Sequence, residues 1–142
     1  PQDRAEITFD HVSFSHKGNR VLHEISFTIP AGTTLALLGP SGSGKTTIAQ
    51  LLMRFYEPES GRILLNGVDI ATLPLAQVRR QIGAVMQEPF LFSKTVRENL
   101  KLGRFDAEDV EMIEAASTAS IHPSIERFEK QYDTVVGERG VT

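Results

Sequence analysis

The residues Gly39-Pro40-Ser41-Gly42-Ser43-Gly44-Lys45-Thr46 match the phosphate-cradling pattern G-x-x-x-x-G-K-[ST] at every fixed position. Glycines let the main chain wrap closely, so that successive N–H groups point inward and form a nest for anions. The N-terminus of a following helix adds partial positive charge. Lys45 is placed to reach the outer phosphates and the Thr46 hydroxyl to coordinate Mg²⁺, with Thr47 next in the same helical turn. The plainer alternative is a glycine-rich turn without a ligand, and the flanks argue against it. Thr34-Leu35-Ala36-Leu37-Leu38 reads as a short buried strand entering the loop. Ile48, Leu51, Leu52 and Phe55, spaced i, i+3, i+4 and i+7, form the apolar stripe of a helix leaving it.

The bulk properties narrow the class of molecule. At 142 residues the chain is one domain or part of one. A net charge of −3 supplies no electrostatic footprint for nucleic acid or an anionic membrane surface, so neither is expected as a partner. The absence of cysteine excludes disulfide and thiolate–metal chemistry. No stretch approaches the roughly 18 consecutive apolar residues of a membrane span. Pro1, where an initiating Met would stand, reads as a start inside a longer chain.

Other elements must hold the loop in place. Ile7 and Phe9, then Val12 and Phe14, alternate with a change of phase at Asp10-His11, which predicts a strand with a bulge or two short strands. A polar turn ending in Gly18-Asn19 leads to a strand with Val21, His23, Ile25, Phe27 and Ile29 on one face. Asn66-Gly67 joins Ile63-Leu64-Leu65 to Val68-Asp69-Ile70 as a hairpin. Pro74 opens a short helix towards Gln81, and Ile82-Gly83-Ala84-Val85-Met86 reads as a second buried strand. That strand would deliver Gln87 to a loop at its C-terminal end, where open α/β sheets bind ligands. Thr95 and Glu98 form a capping box for a helix towards Leu102. Asp106 is expected to cap a further helix with Val110, Ile113 and Ala116 inward. Beyond Ser120 a short helix follows Pro123, and Tyr132 to Thr142 reads as loop. Arg79-Arg80 and Glu108-Asp109-Val110-Glu111 read as solvated helix faces.

Taken together these residues resemble the nucleotide-binding domain of an ABC transporter of the exporter type, over the whole chain. Val12-Ser13-Phe14-Ser15-His16 is similar to the strand and loop before the adenine-stacking position, and Ser60 to Ile70 to the family's "SGxIxxxGxDI" hairpin. Gln87 stands where the Q-loop glutamine sits. Leu91-Phe92-Ser93 with Thr95 to Leu100 is an exporter continuation, and Val136-Gly137-Glu138-Arg139-Gly140 resembles the exporter X-loop. The P-loop alone does not separate ABC proteins from kinases, GTPases or helicases; the order P-loop, hairpin, Q-loop, X-loop does. The resemblance implies an α/β fold: a P-loop NTPase (RecA-like) core, an antiparallel β subdomain and the start of an α-helical subdomain. Their expected extents are about 1–33 and 61–73 for the β portion, about 34–60 and 82–88 for the core, and about 89–142 for the helical portion.

The resemblance also implies roles. ATP and Mg²⁺ are the expected ligands, with Gly39, Pro40, Ser41, Gly42, Ser43, Gly44, Lys45, Thr46, Thr47, His16 and Gln87 around the nucleotide and Thr46 and Gln87 towards the metal. Lys45 and Gln87 are the expected catalytic groups. An amide both donates and accepts, so Gln87 can sense γ-phosphate and metal hydration together. The expected partners are a second nucleotide-binding domain and the coupling helices of a membrane domain, near Phe90, Leu91, Phe92 and Glu138, at the cytoplasmic face of a membrane. Phe90 to Phe92 read either as core packing or as an exposed partner patch. Glu138 and Arg139 read either as a solvated pair or as a relay to the coupling helices.

Two departures from the family pattern stand out. His16 replaces the usual adenine-stacking aromatic, which implies weaker stacking. The LSGGQ signature, Walker B aspartate, catalytic glutamate and switch histidine would all follow Thr142. The expectation is therefore part of a longer transporter subunit, which alone binds nucleotide better than it hydrolyses it. Family architecture would place missing strands between the P-loop strand and the Gln87 strand, leaving exposed sheet edges prone to aggregation. The rival readings are a degenerate, non-hydrolysing half of a heterodimeric transporter, and a non-transport ABC ATPase.

Overall fold

The alternation of Ile7, Phe9, Val12 and Phe14 produces β1 (Ile7–His16), which pairs antiparallel with β2 (Asn19–Ile29). The computed structural model describes residues 5–87 and 90–137. The two strands meet at a turn of Lys17 and Gly18, both with positive φ, the geometry that follows the natural twist of a hairpin. β1 pairs on its other side with β3 (Ser60–Leu65), and β3 with β4 (Val68–Asp69), in the order β2-β1-β3-β4. Asn66 and Gly67, at φ 51° and 76°, make the expected turn between β3 and β4.

Two of the three register shifts between β1 and β2 flank the core residues, and a serine serves each of these two. Phe9 faces Phe27 and Val12 faces Ile25, so β1 carries an extra residue at the expected phase change, where His11 has φ 50°. Phe14 faces Leu22, so β2 carries its own extra residue near Glu24, at φ 45°. The clean alternation expected for β2 is thereby broken: Leu22 is buried and His23 is exposed. A serine on the facing strand takes up the main-chain donor at each bulge. The His11 N–H donates to Ser26 Oγ at 2.9 Å and the Glu24 N–H to Ser13 Oγ at 2.9 Å. Ser13 is itself buried, so this bond satisfies a hydroxyl that would otherwise be costly to enclose.

α1 (Lys45–Leu52) and α2 (Leu75–Arg80) cover this sheet with Leu51 and Val78, both 0% exposed, among Phe9, Val12, Ile63 and Ile70. The helix stripe ends earlier than the spacing predicts. Arg54 has φ 53°, so Phe55 falls outside α1 and is half exposed. The Arg54 Nη1 instead donates to the carbonyls of Ile70 at 2.9 Å and Leu73 at 2.7 Å. Arg79 is not a merely solvated charge. It donates to the carbonyls of Met53 at 3.1 Å and Arg54 at 3.2 Å, and its guanidinium lies 5.0 Å from the Phe55 ring centre. A cation at the carbonyl end of α1 is favoured by the helix dipole.

Neither expected buried strand forms. Thr34–Leu38 and Ile82–Met86 have no ladder partner among the described residues, and Leu35, Leu37, Leu38, Val85 and Met86 are exposed. A buried parallel strand is built from hydrogen bonds to neighbours, and local apolarity alone cannot supply them.

The chain divides into two compact units, Pro1–Ala84 and Val85–Thr142. In the second, β5 (Lys94–Thr95) pairs with β6 (Val135–Val136), and α3 (Val96–Lys101), α4 (Asp109–Thr118) and α5 (His122–Ile125) enclose Met112, Ala116, Ile125 and Tyr132. Segment 132–136, within the stretch expected to be loop, thus contributes a strand and most of a helical turn over Gln131–Asp133. The capping box of Thr95 and Glu98 is present. α4 is capped by Glu108 and Glu111 rather than by Asp106, and the core-facing pair is Met112 and Ala116, leaving Val110 63% exposed. The run 108–111 is also more than a solvated face. Asp109 pairs with Lys101 at 2.8 Å and with Arg97, Arg97 reaches Asp133 at 3.0 Å, and Glu111 pairs with Arg104. Among the described residues no helix is long and apolar enough to cross a membrane.

Hydrogen bonds from Lys101 and then Arg97 hold the Asp109 carboxyl below its ordinary range. A carboxylate depressed in the folded state adds stability above its unfolded pKa and loses it as pH falls through the folded value. Asp109→Asn should therefore lower the urea midpoint of the second unit at pH 7. The difference from the parent chain should shrink below about pH 4. Urea titrations at a series of pH values check both the sign and the window.

Candidate functional site

The chain between Gly39 and Gly44 wraps around one ammonium group. Lys45 Nζ donates to the carbonyls of Gly39 at 2.7 Å and Pro40 at 2.6 Å, and to Ser43 Oγ at 3.1 Å. The Ser43 N–H closes a turn onto the Pro40 carbonyl at 3.3 Å. Gly39, Pro40, Ser43, Gly44 and Lys45 are thus brought together as the spacing predicts. Thr46 and Thr47 lie in the first turn of α1, Thr46 exposed and Thr47 half-buried.

The start of α1 is open. Gly44 occupies the cap position with φ 91°, no side chain accepts from the first turn, and no acidic residue lies there. The first N–H groups of any helix lack partners within it. Here they stand beside a lysine, with no carboxylate to compete, which is the electrostatic arrangement of an anion site. The donor set suits a chain of phosphates. For Mg²⁺ the Thr46 hydroxyl is a suitable oxygen ligand. No cluster of three His, Cys, Asp or Glu side chains exists among the described residues, so the metal would depend on the phosphates for its other ligands.

Gly44 is where the loop meets the fold. A Cβ placed there would lie 2.7 Å from Leu22 Cδ2, a core side chain positioned by the β2 bulge. One placed at Gly42, also at positive φ, would touch nothing within 4 Å.

The other expected site residues are placed as follows. His16 ends β1, exposed, with its ring edge-on to Tyr56 at 5.6 Å and 6.5 Å from Phe14, which itself lies 5.5 Å from Tyr56. Gln87 is exposed in the second unit. Phe90, Leu91 and Phe92 are 59%, 39% and 49% exposed, so the apolar-patch reading holds over core packing. Glu138 and Arg139 lie outside the described residues. A cleft of about 480 Å³ in the second unit is lined by apolar Leu100, Met112 and Ile121 and by charged Lys101, Arg104, Glu111 and Glu114, and holds none of the expected site residues. Sequence reasoning missed Tyr56, Arg79 and Asn99. Asn99 alone gave a local signal, a poor helix former inside a short helix.

A sequence profile of the family described as ABC transporter matches residues 22–139. An uncharacterized ABC transporter ATP-binding protein of Bacillus subtilis, YfiC, is 49% identical over 141 residues, 99% of this chain and 23% of that protein. The mitochondrial iron-sulfur clusters transporter ATM1 of Saccharomyces cerevisiae is 48% identical over 137 residues, 96% of this chain and 20% of that protein. A bacterial Atm1-family ABC exporter solved with ATP bound superposes with a TM-score of 0.90 at 43% identity, covering 99% of this chain and 26% of that one. The chain spans about a quarter or less of the length of these relatives. Its fold is the mixed α/β, P-loop NTPase fold of that exporter's nucleotide-binding domain.

Alanine at Gly44 must adopt a left-handed backbone and also displace Leu22, whereas alanine at Gly42 meets the backbone strain alone. Gly44→Ala should cost the first unit about 2–4 kcal/mol and Gly42→Ala about 1 kcal/mol. Parallel urea unfolding of the two variants checks this; equal costs would mean that the Leu22 contact yields freely.

Proposed function

This chain belongs to the ABC transporter family, and from that membership we propose that it forms the P-loop part of an exporter's ATP-binding, ATP-hydrolysing module. The observation that carries the reading is Lys45, bound to three loop oxygens beside an uncapped helix start. Incoming β- and γ-phosphates take hydrogen bonds from the open N–H groups of Lys45, Thr46 and Thr47, and from the Lys45 ammonium as it exchanges its bonds to Gly39, Pro40 and Ser43 for phosphate oxygens. Thr46, together with the phosphates, would hold Mg²⁺, which would supply positive charge against the negative charge developing in phosphoryl transfer. Phosphoryl transfer depends on placed charges more than on covalent help from the protein, so a loop that fixes donors in advance is the main contribution these residues make.

His16 borders the adenine, its ring backed by Tyr56 and Phe14. Gln87 senses the γ-phosphate and the metal's hydration shell. Phe90, Leu91 and Phe92 meet the coupling helices of a membrane domain, and the module lies at the cytoplasmic face of that membrane. A second nucleotide-binding domain closes against this one around ATP. ATP drives closure only to the extent that it binds the closed pair better than the open one, and that difference is the work available for moving the membrane domain.

In the assembled transporter, Lys45→Met should weaken Mg²⁺-dependent ATP binding and lower hydrolysis by about a hundredfold or more. Filter binding and phosphate release check this, and unchanged values would overturn the reading. His16→Tyr should tighten ATP binding by about threefold through a larger stacking surface. An unchanged affinity would remove His16 from the nucleotide site while leaving the P-loop assignment intact.

A further inference from the structure

Asn99 sits within α3, where an amide side chain is a poor helix former and gains by bonding to main chain elsewhere. Its Oδ1 accepts from the Phe92 N–H at 2.9 Å, and its Nδ2 donates to the Phe92 carbonyl at 3.0 Å. The same Nδ2 lies 3.0 Å from the Thr95 carbonyl and 3.4 Å from that of Lys94. One half-buried side chain therefore satisfies both main-chain polar groups of Phe92, as a neighbouring strand would. The Lys94 N–H also donates to the Phe92 carbonyl at 2.7 Å, closing the chain into a tight bend just before β5.

The bend carries two exposed aromatic rings. Phe90 and Phe92 meet edge to face, with centres 5.0 Å apart and planes at 87°, while remaining 59% and 49% exposed. Exposed rings on an untethered loop would turn inward or sample many rotamers. Here the main chain of one ring is pinned from the helix side, and the two rings pack on each other.

We infer that Asn99 is a positioning residue, which fixes the Phe92 main chain so that the Phe90–Phe92 pair is presented in one shape to an apolar helix of the membrane domain. This rests on the reading of Phe90 to Phe92 as the membrane-domain contact. The occupant follows from what this chain is similar to: an ABC exporter of which it spans 26%. Export across a membrane needs apolar spanning helices, and no helix among the described residues is one. An ordered apolar pair binds such a helix with less ordering cost than a loose one. Among the described residues the Asn99 side chain bonds only to the main chain of Phe92, Lys94 and Thr95, so its effect should fall on coupling.

The test uses the assembled transporter in membranes and compares Asn99→Ala, Asn99→Asp and the double variant Phe90→Ala/Phe92→Ala. In Asn99→Ala, hydrogen exchange at the Phe92 amide should accelerate about tenfold, transport per ATP hydrolysed should fall about fivefold, and KM for ATP should stay within about twofold. Asn99→Asp keeps the acceptor for the Phe92 N–H and loses both donors, so it should fall between the parent and Asn99→Ala. Where Asn99→Ala does not reach the membrane, Asn99→Asp is judged by the same criteria. Unchanged exchange at Phe92, or faster exchange with full coupling, overturns the inference, as does a KM that moves in step with transport. A double variant that couples normally overturns the membrane-domain reading as well. One that uncouples, beside an Asn99→Ala that does not, removes only the role of Asn99.

Discussion

The arrangement of the P-loop depends on the burial of Leu51. Lys45 opens α1, and α1 has one fully enclosed side chain, Leu51, which sits among Phe9, Val12, Ile63 and Val78 on the antiparallel sheet. Enclosing a leucine stabilises by about 2–3 kcal/mol, more than any single hydrogen bond at the loop can contribute. The strand expected to enter the loop forms no ladder, so the helix is held from the side by the sheet and at its far end by Arg79. The direction of the Lys45 ammonium is in this sense set by hairpins distant in sequence.

The antiparallel portion was readable because its rules are local. Alternation marked β1, Asn66-Gly67 marked the turn from β3 to β4, and a phase change at Asp10-His11 marked a bulge that is present. The second bulge escaped because Leu22, His23 and Glu24 mask it: the apolar spacing of Val21, Ile25 and Phe27 continues as though nothing intervened. Thr34–Leu38 and Ile82–Met86 failed for a different reason. Apolar content shows that a segment prefers burial; whether a neighbouring strand is there to receive its N–H and C=O groups is a property of the rest of the molecule.

At the candidate site the spacing from Gly39 to Thr46 marks the segment that folds around the Lys45 ammonium, yet nothing in it shows that Leu22 lies behind Gly44. Arg79 reads as a solvated charge in its own sequence window, because the carbonyls of Met53 and Arg54 that it binds lie 26 and 25 residues away. In the second unit the acidic run 108–111 bonds to Lys101, Arg97 and Arg104, which lie on α3 or just beyond it. Charge pattern alone does not separate a wet face from a tie between helices.

The bonds that hold Lys45 to Gly39, Pro40 and Ser43 have a thermodynamic corollary. A free lysine has four flexible torsions, and immobilising them costs up to about 2 kcal/mol of rotamer entropy. Folding has already frozen much of that freedom, and all three ammonium N–H groups are taken up by loop oxygens. An anion that drew on this lysine would have to exchange with those oxygens, so the loop sets the cost of releasing the cation as well as its position.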